Sequence, residues 1–111
     1  MRLHFQEKLE EIRSEVIRMG AESNEMVKMA VDATLHGDLE LANRVMQQDD
    51  RVDAMERSLL QTAMTVVMAE NPVAADLRLC LATLGVASEL ENIGDDAVKL
   101  ARRATKLNTQ F

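Results

Sequence analysis

Apolar residues recur at alternating steps of four and three along almost the whole chain, and only two short stretches interrupt the rhythm. Phe5, Leu9, Ile12, Val16, Met19, Ser23, Met26, Ala30 and Ala33 form a first unbroken row, with Ser23 its one polar member. Ala42, Val45, Val52, Leu59, Ala63 and Val66 form a second, and Leu79, Thr83, Val86, Leu90, Ile93, Ala97, Leu100 and Ala104 a third. This spacing places every member of a row on one face of a helix, as in a coiled-coil seam. The first interruption is His36-Gly37-Asp38, where Gly37 suits a left-handed helix end and Asp38 an N-cap. The second is Glu70-Asn71-Pro72, where Asn71 suits an N-cap and Pro72 the first helical position. The segments between are about 34, 33 and 36 residues long, roughly 50 Å each at the helical rise. Long helices joined by such short turns must run up, down and up. The expectation is one all-α domain over residues 1–111, an elongated antiparallel three-helix bundle with helices at about 2–35, 38–70 and 72–107.

Composition excludes the other classes. Strands favour aromatic and β-branched residues with frequent turn glycines, but aromatics are 2% of the 111 residues and there are four glycines and one proline. No apolar run reaches the roughly 18–20 residues that span a bilayer, and charges recur every few positions through the first 20 residues, unlike a signal peptide. Cys80 is the single cysteine, so no internal disulfide forms and a cytoplasmic setting is expected. Thirteen Lys+Arg against 19 Asp+Glu give a net charge of −6, which opposes direct nucleic-acid binding. The same acidity serves solubility or cation binding.

The acids are not spread evenly. Asp49, Asp53 and Glu56 stand at i, i+4 and i+7 in the second segment, within about 60° of one another on a helix, with Asp50 beside them. Like charges at this spacing repel by a few tenths of a kcal/mol, which Arg51 and Arg57 are placed to relieve. On the third segment, Leu77, Leu81, Leu84, Ser88, Glu91, Asp95 and Val98 make a second row, about 160° around the helix from the first. That row begins apolar and turns acidic halfway. Glu91 and Asp95, one turn apart, offer the oxygen ligands that a hard cation needs; the same pair also suits a solvated acidic face. Carboxylate-only ligation favours Fe, Mn, Mg or Ca over Zn.

Other candidates offer less chemistry. His4 and His36 are about 48 Å apart along one helix, so they share no site; His36 suits the negative end of the helix dipole. Cys80, between Leu79 and Leu81, reads as a small buried hydrophobe without a base to activate it. The eight methionines read as core filler or as an adaptable partner surface. There is no Gly-rich phosphate loop, no Ser/His/Asp set and no CxxC pair.

Several stretches coincide with one family. They are Phe5, Leu9 and Ile12; Met19-Gly20; Gly37-Asp38; Val45-Met46-Gln47-Gln48-Asp49 with Val52-Asp53-Ala54-Met55-Glu56; Asn71-Pro72-Val73-Ala74-Ala75-Asp76-Leu77-Arg78; and Glu91-Asn92-Ile93-Gly94-Asp95. In this order and spacing the chain resembles the PhoU family, accessory regulators of bacterial phosphate uptake, over essentially its whole length. The resemblance implies a three-helix PhoU domain, a kind normally found twice in tandem. It implies a cytoplasmic negative regulator of the phosphate-starvation response, linking a phosphate ABC transporter to a sensor histidine kinase. It also implies metal ions, iron or another of Mn, Mg and Zn, held by Glu91 and Asp95 with Asp49 and Asp53 alongside. The family commonly has arginine where this chain has Asn92, which removes a positive charge beside the motif.

This chain matches one repeat, the N-terminal one: either it is a fragment of a two-repeat protein, or it is a single-repeat member whose homodimer restores the two-fold arrangement, with Leu77, Leu81 and Leu84 as its seam. Non-enzymatic regulation is the leading reading. The alternative is a metal-dependent hydrolase or a metal-storing bundle.

Overall fold

The computed structural model describes residues 2–110, with side chains from His4 to Leu107, so Met1 and Phe111 of the expected domain lie outside the described residues. Three helices account for nearly all of it: α1 (Arg2–His36), α2 (Leu39–Glu70) and α3 (Ala74–Gln110). They pack as an antiparallel bundle 60 Å long and 17 × 16 Å across. The all-α, elongated bundle expected from the spacing is the fold observed. No helix among the described residues is long and apolar enough to cross a membrane.

The first turn follows the local chemistry of its residues. Gly37 takes φ 64°, and the Asp38 N–H donates to the Ala33 carbonyl at 3.0 Å, closing α1 in the six-to-one pattern that needs a left-handed residue. Asp38 then caps α2, its carboxylate accepting from the Leu41 N–H at 3.0 Å.

The second turn departs from expectation. Asn71 does not start α3; it ends α2, at φ 44° and ψ 62° with its N–H donating to the Val67 carbonyl. Pro72 is likewise outside α3, which begins at Ala74 and whose first turn is closed by the Leu77 N–H on the Val73 carbonyl at 2.9 Å. The physical reason lies in the pair itself. Proline disfavours the right-handed helical conformation in the residue before it, and asparagine tolerates the left-handed one.

The seams of α1 and α2 are buried at every expected position. Ser23 satisfies its hydroxyl by donating to the Leu90 carbonyl at 3.3 Å. The third seam is different. Of the expected row, Ala97 and Ala104 are buried and Leu90 and Leu100 pack against the core, but Leu79, Val86 and Ile93 are 53, 50 and 42% exposed while Cys80, Ala87 and Ala101 are buried, as is Gly94. The inward row of α3 therefore passes through Cys80, Ala87, Gly94 and Ala101, between the two rows read from the sequence. Large residues from the other helices (Ile12, Met19, Met26, Val45, Val52 and Leu59) fill the interior, and small ones on α3 let the backbones close on them. Leu77 and Leu84 are half-buried and Leu81 is open. The leucine row expected as a dimer seam is thus partly used within the bundle.

Candidate functional site

Around the middle of the bundle, the acidic turns of α2 and α3 meet. One carboxylate oxygen each from Asp49, Asp53 and Asp95 lies within 4.8 Å of the others. Asp49 and Asp53 stand on consecutive turns of α2, and Asp95 reaches them from the antiparallel α3. The approach depends on Gly94. A Cβ at that position would lie 3.3 Å from Oδ1 of Asp49 and 3.7 Å from the Met26 sulfur and methyl, so the absent side chain leaves room for the carboxylate. A glycine inside a helix costs about 1 kcal/mol relative to alanine, and here the close approach gives it a role. The sequence carried this signal, a lone glycine inside a helical pattern, but not which residue it accommodates.

Glu91 is one turn back along α3, hydrogen-bonded to Asp95 and near Glu56 and Asp53. It stands beside the three converging oxygens without joining them. Burial above all, then the charges of Asp95 and Glu56, the hydrogen bond to Asp95 and the charge of Asp53, raise its carboxyl to about 7. Burial and the charges of Asp53, Asp95 and Asp50 raise Asp49 to about 6, against a lowering from Arg102. Oδ1 of Asp49 and Oδ1 of Asp53 are buried and have no hydrogen-bond partner. Buried polar atoms are normally paired, so this cluster carries an unmet demand for positive charge.

Two counter-charges are arranged differently from expectation. Arg51 does not relieve the α2 acids: it donates to Oε1 of Glu22 on α1 at 2.9 Å. Gln48 donates to the same carboxylate, at 2.9 Å to Oε2, so α1 and α2 are clamped just outside the cluster. Arg57 lies beside Leu60 and Met64 farther along α2. The cation that acts on Asp49 is Arg102, from α3, which linear spacing did not connect with it. Asp50 is exposed.

The remaining sequence candidates fall elsewhere. His4 is 3.8 Å from Glu70 at one end of the bundle, and His36 sits at the other with Nδ1 3.0 Å from the Asp32 carbonyl. Cys80 is buried in a small cluster with Phe5, Leu9 and Val66, and burial raises its thiol pKa, with a further rise from Asp76. An inert buried hydrophobe is the role that this environment supports.

The donor set suits hard cations. Oxygens around one ion at 2.0–2.6 Å lie no more than about 4–5 Å apart, the separation these three carboxylates present. Ionised, they would supply charge and ligands together, and the two orphaned oxygens would gain their missing partner.

The sequence profile of the PhoU domain matches residues 16–104, which spans all three helices and the whole acidic cluster. The chain belongs to the PhoU family. Its three helices superpose on the crystal structure of PhoU from Pseudomonas aeruginosa with a TM-score of 0.92 at 36% identity, covering 96% of this chain and 51% of that one. The phosphate-specific transport system accessory protein PhoU homolog of Pseudomonas putida is 37% identical over 103 residues, 93% of this chain and 40% of that protein. The PhoU accessory protein of Serratia marcescens is 38% identical over 100 residues, 90% of this chain and 41% of that protein. The chain therefore spans about half, or somewhat less, of the length of the PhoU proteins it matches.

Proposed function

We propose that this PhoU chain is a regulatory accessory of phosphate-specific transport, acting by docking and not by catalysis. The observation that carries the reading is a likeness of about 37% over nearly the whole chain to proteins named for that accessory role. In detail, the chain works in the cytoplasm as a negative regulator, an adaptor between a phosphate ABC transporter and a sensor histidine kinase, and associates with membrane proteins peripherally. Deleting its gene tests this directly. Phosphate uptake and a phosphate-starvation reporter should both rise in phosphate-rich medium, and unchanged levels of both would refute the reading.

The acidic cluster is part of the same proposal. Asp49, Asp53 and Asp95, with Glu91 at their edge, hold a hard divalent or trivalent cation (Fe, Mn or Mg in preference to Zn), and the two buried oxygens without partners support this. The cation would supply charge neutralisation and fix the α2–α3 contact. Self-association belongs here too. Leu79, Val86 and Ile93 repeat every seven residues and remain exposed, a row suited to a second copy.

One observation favours a second reading, hydrolysis at a carboxylate-held metal. Glu91 stands beside the three converging carboxylates without joining them, where a general acid or base would be placed. Phosphomonoester turnover with added Mn, lost in Glu91→Gln, would establish it; no turnover would leave regulation as the sole role.

A further inference from the structure

The cluster occupies half of a longer feature. α2 and α3 run antiparallel, and their shared outer edge is a groove whose other half is apolar. Beyond Glu56, the α2 side continues through Leu60, Met64 and Met68, which are 46, 54 and 81% exposed. The facing α3 side presents Leu77, Leu81 and Leu84, with Leu81 59% exposed. Two adjoining hollows of about 300 and 280 Å³ lie here, and both are walled by Met64 and Met68. The larger is lined by apolar side chains alone. Methionine walls adapt to partners of different shape, because the unbranched thioether repacks at little cost. Leu60 is one turn, about 6 Å, from Glu56. The groove thus changes from apolar to acidic within a single turn, with Arg57 on the outer, α2 wall of the smaller hollow.

No ion pair among the described residues closes the acidic half, although the charge of Arg102 reaches Asp49. None of the ion pairs among the described residues involves Asp49, Asp53, Glu56, Glu91 or Asp95. The chain as a whole carries −6.

We infer that this groove receives an amphipathic helix from another protein, seating apolar side chains at i, i+4 and i+7 against Met64, Met68 and Leu81 and laying a basic terminal turn over Glu56 and Glu91. Charge complementarity selects this occupant. A second copy laid parallel in the same groove brings carboxylates toward carboxylates, which repel, and an antiparallel one sets them on the methionines and leucines, so neither supplies the cations that the acidic half lacks. An anionic lipid surface meets the same repulsion. A helix with lysines in its last turn matches both halves, and its own dipole favours cations there. Helix-in-groove recognition uses this i, i+4, i+7 anchor pattern. The inference does not depend on the phosphate-transport reading; it concerns the cation-free groove, since a cation held by Asp49, Asp53 and Asp95 would offset the charge that recruits the lysines.

The test uses a fluorescein-labelled synthetic helix of about 18 residues, roughly 27 Å long, with three leucines on one face and three lysines in its last turn. A control peptide carries glutamates in place of the lysines. Anisotropy is read in EDTA, so that failure of the metal reading does not enter. The lysine peptide should bind in the micromolar range, and the glutamate peptide at least about tenfold more weakly, the factor set by about 1.4 kcal/mol. Met64→Ser with Met68→Ser should cost a further tenfold or more at unchanged helicity, both positions being exposed. Glu56→Gln with Glu91→Gln should weaken binding and flatten its salt dependence. Three results would overturn the proposal: equal binding of both peptides, no binding of either at about 1 mM, or light scattering that shows a dimer which Met64→Ser with Met68→Ser dissociates. The last would assign the groove to a second copy.

Discussion

Gly94 stands next to Asp95 in sequence and against Asp49 in space. A methyl group there would lie 3.3 Å from Oδ1 of Asp49, so Gly94→Ala should push that carboxylate out of the three-oxygen cluster while favouring the helix itself. Helicity by circular dichroism should stay constant or rise, and Mn content after equilibrium dialysis should fall at least about tenfold in affinity, or 1.4 kcal/mol. Undiminished Mn binding would separate Asp49 from the site. The titrations of Asp49 and Glu91 give a second residue-scale expectation. Their pKa values rise from 3.8 to about 6 and from 4.5 to about 7 on folding, so the folded state holds protons that the unfolded chain has lost. Their effect on stability is thus unfavourable above those values and fades toward acid. Without metal, the thermal midpoint should fall as pH rises from about 4 to about 7. Asp49→Asn with Glu91→Gln should flatten that slope, and a bound cation should reverse it. The family resemblance grouped Glu91 and Asp95 with Asp49 and Asp53, but the spacing of the residues did not. The sequence placed Asp49 and Asp53 on one face and Glu91 and Asp95 on another, but whether two faces on different helices meet is a packing outcome.

At the scale of elements, the two turns differ in how readable they were. Gly37 and Asp38 act as glycine and aspartate usually act at helix ends, because their local hydrogen bonds close within six residues. Asn71 serves equally well as the start of one helix or the end of another, and only the conformation forced by Pro72 decides between them. Because Asn71 sits at φ 44°, Asn71→Ala should destabilise the protein by about 1–2 kcal/mol, and Asn71→Gly should be neutral or stabilising. Urea unfolding of the two variants checks the sign. The reverse order would mean that Asn71 stabilises the turn through its side chain. The face that α3 turns inward was legible only in part, for a related reason. Leu90, Ala97, Leu100 and Ala104 of the expected row do meet the core, but Leu79, Val86 and Ile93 are larger and more apolar than Cys80, Ala87 and Gly94, so hydrophobicity alone rotates the row toward the flank. Close helix approach requires small residues at the contact, and hydrophobic patterning weights size in the opposite direction.

At the scale of the whole molecule, that register makes a quantitative contrast. Leu59 is buried, so Leu59→Ala should cost about 2–5 kcal/mol. Val86→Ala on the exposed flank of α3 should cost about 0.5 kcal/mol or less. Denaturant midpoints of the two variants measure the difference, and a large loss at Val86 would mean that a partner or second copy covers that row. The long axis of 60 Å also keeps chemistry apart. His4 and His36 lie at opposite ends of the bundle, away from the carboxylates around its middle, so the charge that reaches Asp49 is that of Arg102 and not of an imidazole.

The sequence by itself determined that this protein is all-α, that it has three long helices, where its first turn lies and which faces of α1 and α2 are buried. Those properties follow from the 3.6-residue period and from capping within a few residues, both local along the chain. It also carried the PhoU motifs, including Glu91 and Asp95. The tertiary structure alone decided which face of α3 points inward, that Arg51 goes to Glu22 and Arg102 to Asp49, and that Asp49, Asp53 and Asp95 converge beside Gly94. Each of these depends on the rotation of one helix against another about its own axis. That rotation is set by how small residues on one helix accommodate large ones on its neighbours, and no single segment encodes it.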